Sequence, residues 1–385
     1  MLFGKCDCSP GVWSLSRRGL LCAGGAGFVS ALIGTLIEAS QTAQANALGS
    51  QAPEVDWLAV RFVTDNQVVQ FVPSEKREGL IIERRTGSNT FPDAPPRAAL
   101  NGEWGLCMHA ESRRGDELRN ILIDFGYTPE TLLNNMSILK IDASTFDALV
   151  LSHGHYDHFG GLVGFLAANK SKLKKNLPFF VGGEDCFCTR TTGKDAQYGA
   201  LDRKAITDAN LSLMIAEGPA VVADHAFTTG KIAQVSSEKP LQPTKEKIGV
   251  FNGFGCFPDQ MSPAKNTGTF IPDDFEHEIG TNFVVKGKGL VVLTSCSHRD
   301  LINTIRQAQA VSGIQKVYAV VGGFHIVPPL DDTYIRGIVA TLKEINPDFV
   351  IPGHCSGERF YDLARIELGN KVIHSAVGTR FVFEA

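Results

Sequence analysis

The stretch LVLSHGHYDHFGGL, Leu149 to Leu162, constrains this chain more than any other. It places His153, His155, Asp157 and His158 within six residues, directly after the apolar run FDALVL. The whole chain of 385 residues holds only 10 histidines, so three at one point are a marked concentration. Imidazole and carboxylate are the nitrogen and oxygen donors of zinc, and they also suit manganese or ferrous iron. Residues two apart at a strand end point the same way, so His153 and His155 can chelate one ion. Asp157 and His158, one turn further on, face a second ion close by. Gly154, Gly160 and Gly161 free the backbone so that four donors can crowd one point. The plainer reading is a surface histidine cluster; the spacing, directly behind a buried strand, argues against it.

Around this cluster the chain has a recognisable order. Short β-rich runs come first: WLAVRFV, GLIIER, WGLCMHAE, NILIDFG and FDALVLSH, each bounded by Gly, Pro, Asn or Asp. TPETLLNNMSIL between two of them predicts a helix starting near Thr128 or Pro129, and FGGLVGFLAAN predicts another behind the cluster. From about Lys170 to Phe275 the pattern weakens into strands separated by long loops, of the kind that shape a pocket. TNFVVKGKGLVVLTSCSH then reads as a hairpin turning at Lys286–Gly289. A helix (DLINTIRQAQAVSG), a strand (KVYAVVGGFH), a helix (TYIRGIVATLKEIN) and a strand (DFVIPGH) follow. A helix from about Glu358 to Leu368 and two closing strands, KVIHSA and RFVFEA, complete the chain. Strand clusters followed by strand–helix alternation predict a layered α/β architecture, two sheets covered by helices.

SHGHYDHFGG resembles the H-x-H-x-D-H motif of the metallo-β-lactamase-fold hydrolases. The resemblance implies an αββα sandwich with a metal site at one edge. ILIDFG is similar to the Asp-x-Gly strand end of that superfamily. GLVVLTSCSH, AVVGGFH and VIPGHCSG, in that order, resemble one subgroup, which includes the archaeal dihydropterin–ribofuranosylaminobenzene phosphate synthases and many hydrolases. The likeness runs from Trp57 to Ala385. Carried over by position, it implies that His153, His155 and His298 hold one ion, and Asp157, His158 and His354 a second. One or two divalent ions per chain are expected, zinc first, with manganese or iron as alternatives.

One position departs from the superfamily. Most members carry a strand-end aspartate that bridges both ions, preceded by a histidine, and this chain shows no such pair. The bridge falls to Cys296, to His298 itself or to nothing. His325, at the end of VVGGFH, is either a ligand or a contact to ligand or substrate, and Asp124 supports the floor of the site without ligating. Tyr156 either meets substrate or packs. His109, His225, His277 and His374 carry no ligand spacing and are read as structural.

The chemistry so implied is attack by a metal-activated hydroxide on a small ester, phosphoester or cyclic amide, with Asp157 both ligating and steering the water's proton. No G-x-S-x-G elbow, Walker loop or dinucleotide fingerprint competes with it. Three alternatives stand beside hydrolysis: synthase chemistry as in the archaeal relatives, a single-iron oxygenase, and a non-catalytic metal-binding sensor. A formal net charge of −4 and the absence of a long basic run give no reason to expect nucleic-acid binding. KSKLKK is read as a solvated helix end or loop.

The first 47 residues read as an export signal. SLSRRGLLCAGG carries a twin arginine, Arg17 and Arg18, followed by an uncharged stretch to Ile37 and by small residues at Ala43, Ala45 and Ala47. That pattern predicts passage through the twin-arginine machinery, cleavage near Ala45 or Ala47 and a periplasmic location. Residues 48–56 are then a linker, and 57–385 the catalytic domain. Cleavage removes Lys5, Arg17 and Arg18 against Asp7 and Glu38, which takes the net charge from −4 to about −5. Six cysteines remain: 107, 186, 188, 256, 296 and 355. Oxidising surroundings permit disulfides whose pairing spacing does not reveal; for Cys296 and Cys355, beside candidate ligands, a reduced thiol competes with a disulfide.

Overall fold

The structure, a computed structural model, describes residues 52–85, 98–192, 196–197, 199–237, 241, 243–265 and 270–385. Residues 1–47, read from the sequence as an export signal, lie outside them.

The described residues build two large sheets. The first runs, edge to edge, Ser212–Ile215, Pro178–Val181, Ala148–Val150, Glu117–Ile123, Cys107–Arg114, Trp57–Thr64, Arg380–Glu384, Leu80–Glu83 and Glu75–Arg77. The second runs Val221–Val222, Ala226–Thr228, Thr281–Val285, Gly289–Thr294, Val317–Gly323 and Phe349–Gly353. Glu54–Val55 adds a short parallel pairing to Val284 and Val285, so part of the stretch predicted as linker belongs to the sheet.

Alternation along each strand decides what faces what. Ile121, Ile123, Ala148 and Val150 point inward and meet Phe283, Val291, Leu293, Val321 and Ile351 of the other sheet in one buried cluster. Their neighbours Leu122, Leu149 and Leu151 point outward, under Leu132 and Met136 of helix Pro129–Leu139 and Phe165 of helix Leu162–Asn169. On the far side, Val320 and Val350 are covered by helices Leu301–Ser312, Asp332–Ile345 and Glu358–Leu368. The result is the predicted αββα sandwich. Each fully buried large side chain in these layers contributes about 1.5–3 kcal/mol.

Local signals set the helix ends. Thr128 caps its helix by accepting from the Thr131 N–H, with Pro129 in the first turn. Asp331 accepts from the Tyr334 N–H at 2.9 Å, and Asn346 closes that helix in the left-handed region. The hairpin at Lys286–Gly289 forms as predicted, pairing Val285 with Gly289.

KVIHSA is not a strand: it makes one bridge, Val350 to Val372, and leaves the sheet. Its neighbour there carries Pro352, which has no N–H to donate; Ser375 still donates to the Pro352 carbonyl, and its hydroxyl also reaches Asp65 at 2.8 Å. The middle of the chain holds more order than its weak pattern suggested. Thr189–Thr192, Ala196–Gln197, Lys245–Lys247 and Phe270–Pro272 form a small antiparallel sheet, and a disulfide joins Cys188 to Cys256.

Candidate metal centre

Parallel pairing brings the site together. Glu117–Ile123 and Ala148–Val150 run parallel in one sheet, as do Gly289–Thr294, Val317–Gly323 and Phe349–Gly353 in the other. Carboxyl ends of parallel strands therefore open on a common crevice, where α/β proteins place ligands. Each chain turns sharply there: Asp124, Ser297, His325 and His354 all lie at positive φ, between 47° and 61°. A non-glycine residue in that region costs about 1–2 kcal/mol, strain that the packed sandwich holds in place.

The H-x-H-x-D-H loop is pinned by its backbone. Helix Tyr156–Phe159 starts just after His155, and the carbonyls of Asp157 and His158 accept from the N–H groups of Leu106 and Phe125 at 3.1 and 2.7 Å. Gly154 has no room for a Cβ, which would sit 2.3 Å from Arg190 Nη1 and 2.4 Å from the Cys186 carbonyl. Glycine here answers close packing.

Two donor sets result. His153, His155 and His298 bring one ligand atom each within 4.8 Å of one another, and so do Asp157, His158 and His354. The loop's four predicted residues and both distant histidines thus converge. His325 also arrives, grouped with Cys296 and His298, and its ring lies 4.2 Å from that of His298. Cys296 Sγ sits 3.1 Å from His158 Nε2 and 3.2 Å from Cys355 Sγ, both thiols free.

A divalent ion fits these residues on their own evidence. His153 Nε2, both ring nitrogens of His298, both of His354 and Nδ1 of His325 are buried without a hydrogen-bond partner. Buried polar atoms ordinarily find partners, so orphaned nitrogens gathered in one crevice call for a cation.

Hydrogen bonds decide which nitrogen is presented. The Asp124 carboxylate, fully buried, faces His158 Nδ1 at 2.8 Å and accepts from Ser152 N–H at 2.7 Å and Ser152 Oγ–H at 2.8 Å. A carboxylate only accepts, so His158 Nδ1 carries a proton and Nε2 is the nitrogen left for the ion. Having donated to Asp124, Ser152 Oγ accepts from His153 Nδ1 at 2.9 Å, which frees His153 Nε2 in the same way. Asp124 therefore lies at the floor of the crevice and sets the orientation of His158 directly and of His153 through Ser152. His155 is set from elsewhere. Its Nε2 meets Thr244 Oγ1 at 3.0 Å, Thr244 donates to Asp273 at 3.1 Å, and the buried Arg190 guanidinium holds Asp273 at 2.6 Å. That leaves His155 Nδ1 for the ion. Glu278 fixes the His298 loop by accepting from the His298 and Arg299 N–H groups at 2.9 and 2.6 Å, and Phe275 stacks on the His298 ring at 4.1 Å.

Electrostatics agree with a cation site. Burial, with neighbouring histidines, holds His153 and His298 well below the ordinary imidazole range, and burial takes His155 to about 3. These rings are neutral donors near pH 7. Burial opposes ionisation of Asp157, but His158 and His354 outweigh it and hold the carboxyl below its usual range; against burial, the Asp157 and Asp124 charges in turn lift His158 to about 9, so an ion that binds there displaces a proton from Nε2.

Thr244, Asp273, Phe275 and Glu278 carried no motif, and neither did Trp104, whose exposed ring lies 5.1 Å from that of His354. Beside His354 a cavity of about 230 Å³ is walled by Trp104, Asn66, Gly357, Tyr361 and His374. The histidines read as structural behave so. His109 pairs with Asn120 at 3.2 Å, His225 with Ser112 at 3.0 Å, His277 with Arg190 at 3.0 Å, and His374 with the Ser375 carbonyl at 2.7 Å.

Comparison with known proteins follows the same lines. The profile of the metallo-β-lactamase superfamily matches residues 114–176, which include the H-x-H-x-D-H loop. The chain is 28% identical over 259 residues to the 7,8-dihydropterin-6-methyl-4-(β-D-ribofuranosyl)-aminobenzene-5′-phosphate synthase of Methanocaldococcus jannaschii, spanning 66% of this chain and 81% of that one. An uncharacterized protein of the same archaeon is 26% identical over 261 residues, spanning 68% and 87%. Among solved structures, a metal-dependent hydrolase of the β-lactamase superfamily superposes with a TM-score of 0.59 at 21% identity, over 84% of this chain and 98% of the other.

Proposed function

The chain has the metallo-β-lactamase fold, and on that premise we propose that it is a metal-dependent hydrolase of a small ester, phosphoester or cyclic amide. The observation that carries this reading is the pair of donor sets at one crevice, with His153 Nε2 and the ring nitrogens of His298 and His354 buried and unpartnered. Divalent ions there, zinc first, would supply Lewis acidity and a water that ionises near neutral pH. The chain's own residues do the rest. Asp157 lies 3.4 Å from His354 Nε2 and 3.7 Å from His158 Nε2, and its side chain keeps 17% exposure. Its carboxylate can therefore accept a hydrogen bond from a water on the side open to substrate and steer it. The Asp124–Ser152 and Thr244–Asp273 relays hold the imidazoles in one orientation, which keeps the reacting geometry fixed. Trp104 and the cavity beside His354 supply an apolar wall and room for part of a small substrate.

The test is a metal analysis of the purified protein, followed by a broad ester and phosphoester screen on the parent and on Asp157→Ala. Hydrolysis that depends on a divalent ion and falls at least about 100-fold in the variant supports the reading. An Asp157→Ala protein with intact metal and full activity overturns it.

A second reading is synthase chemistry, which the likeness to the archaeal enzyme favours. Formation of the named product from its precursors by the purified chain would establish it. The twin-arginine segment at Arg17–Arg18 supports export to the periplasm, which weighs toward hydrolysis. Fractionation that finds the precursor uncleaved in the cytoplasm removes that support.

A further inference from the structure

We propose that Cys296 supplies a thiolate as the donor shared between the two ion positions, taking the place a carboxylate fills elsewhere in this fold. The inference rests on the site being a metal centre but not on its reaction.

The Cys296 sulfur joins three donor groups: with His153 and His158, with His298 and His325, and with His354 and Cys355. It thus reaches histidines of both sets. Its loop is rigid: Ser297 Oγ bonds Thr294 Oγ1 at 2.8 Å and donates to the Gly323 carbonyl at 3.1 Å.

Asp124 already accepts from Ser152 twice and from His158. Both oxygens of Glu278 are occupied by backbone N–H groups of the His298 loop. Neither carboxylate can turn toward the ions without breaking the support of a ligand. His298 belongs to the His153 and His155 set and offers one nitrogen per ion, whereas a thiolate sulfur has lone pairs for two. Cys355 Sγ lies 3.2 Å from Cys296 Sγ, close enough for the two sulfurs to share a proton.

Near a pair of dications, Asp157 is the one charged donor among the six residues of the two sets. A second anion at the centre offsets that charge, and a thiolate is a ligand in its deprotonated form. Its softness selects zinc, cobalt or ferrous ion over manganese or magnesium.

The experiment uses the full chain loaded with cobalt(II) and reads the near-ultraviolet sulfur-to-cobalt charge-transfer band, which does not depend on activity. The parent is expected to show the band. Cys296→Ser should bind cobalt at least about 10-fold more weakly, without the band. Cys296→Asp should recover binding without the band and gain affinity for manganese relative to zinc, which guards against a serine variant that fails to fold. Cys355→Ser should keep the band. Cobalt bound by the parent without a sulfur band overturns the proposal and leaves the metal centre standing; so does a band that survives in Cys296→Ser or vanishes in Cys355→Ser. A parent that binds no cobalt overturns the metal centre and the proposal together.

Discussion

Replacing Asp124 with asparagine tests how the site is held. The change conserves shape, and one side-chain oxygen can still accept from the Ser152 N–H. Where Oδ2 stood, an NH₂ group now meets two donors, His158 Nδ1–H and Ser152 Oγ–H, each 2.8 Å away. His158 relieves the conflict by moving its proton to Nε2, the atom 3.1 Å from Cys296 Sγ and 3.7 Å from Asp157. That proton occupies the lone pair the ion needs. Ser152 Oγ turns as well, and His153 Nδ1 loses its acceptor at 2.9 Å. One substitution therefore loosens a ligand in each donor set. Loss of such a supporting contact costs roughly 10–100-fold in metal affinity, or about 1.4–2.7 kcal/mol at each ion. The metal-free protein should also lose at least about 1.5 kcal/mol, since bonds to a charged acceptor are broken in the interior. A competitive titration against a chromogenic chelator reads affinity and stoichiometry, with Ser152→Ala as the comparator that weakens only the His153 set. Wild-type affinity and stoichiometry in Asp124→Asn would refute the relay.

Three further outcomes follow from the same structure. Thr244→Val strips the acceptor from His155 Nε2 and should weaken the ion of the His153 set roughly 10-fold while sparing the other, as read by the same titration. Cys188→Ser opens a disulfide with a sequence separation of 68 and should cost about 2–4 kcal/mol in a urea unfolding series; an unchanged midpoint under oxidising conditions contradicts it. Glu246 is buried with neither oxygen hydrogen-bonded, and burial together with the Asp273 charge lifts its carboxyl to about 8. Its folded value lies above its unfolded value of about 4.5, so its contribution to stability is full below pH 4.5 and declines as pH rises toward 8. Glu246→Gln should remove that decline, and urea midpoints at pH 5 and 8 that keep the parent's difference would count against it.

The candidate site was legible where chemistry is local. His153, His155, Asp157 and His158 declare themselves because a strand end followed by a glycine-rich turn brings four donors together whatever the rest of the chain does. The strands Trp57–Thr64 and Val317–Gly323 and the helix Glu358–Leu368 were legible for a similar reason, since period and punctuation belong to the segment itself. His298 and His354 needed more than their neighbours: they were legible only as strand-end histidines placed by resemblance. KVIHSA shows the limit from the other side. Its strand-like composition is real, but Pro352 on the adjacent strand withholds the N–H a ladder requires.

By itself, then, the sequence determined the layer order and the half of the site that lies in one loop. Tertiary structure decided the other half. Thr244, Asp273 and Glu278 are single polar residues in irregular chain, and their roles exist only because that chain returns to the crevice. The same holds for Cys188 with Cys256 and for the sulfur of Cys296 between two histidine sets. A hydrogen bond or a ligand sphere depends on distance and direction in space. Where segments more than a hundred residues apart must meet, those are set by how two sheets pack and where their strands end, and no spacing along the chain encodes them.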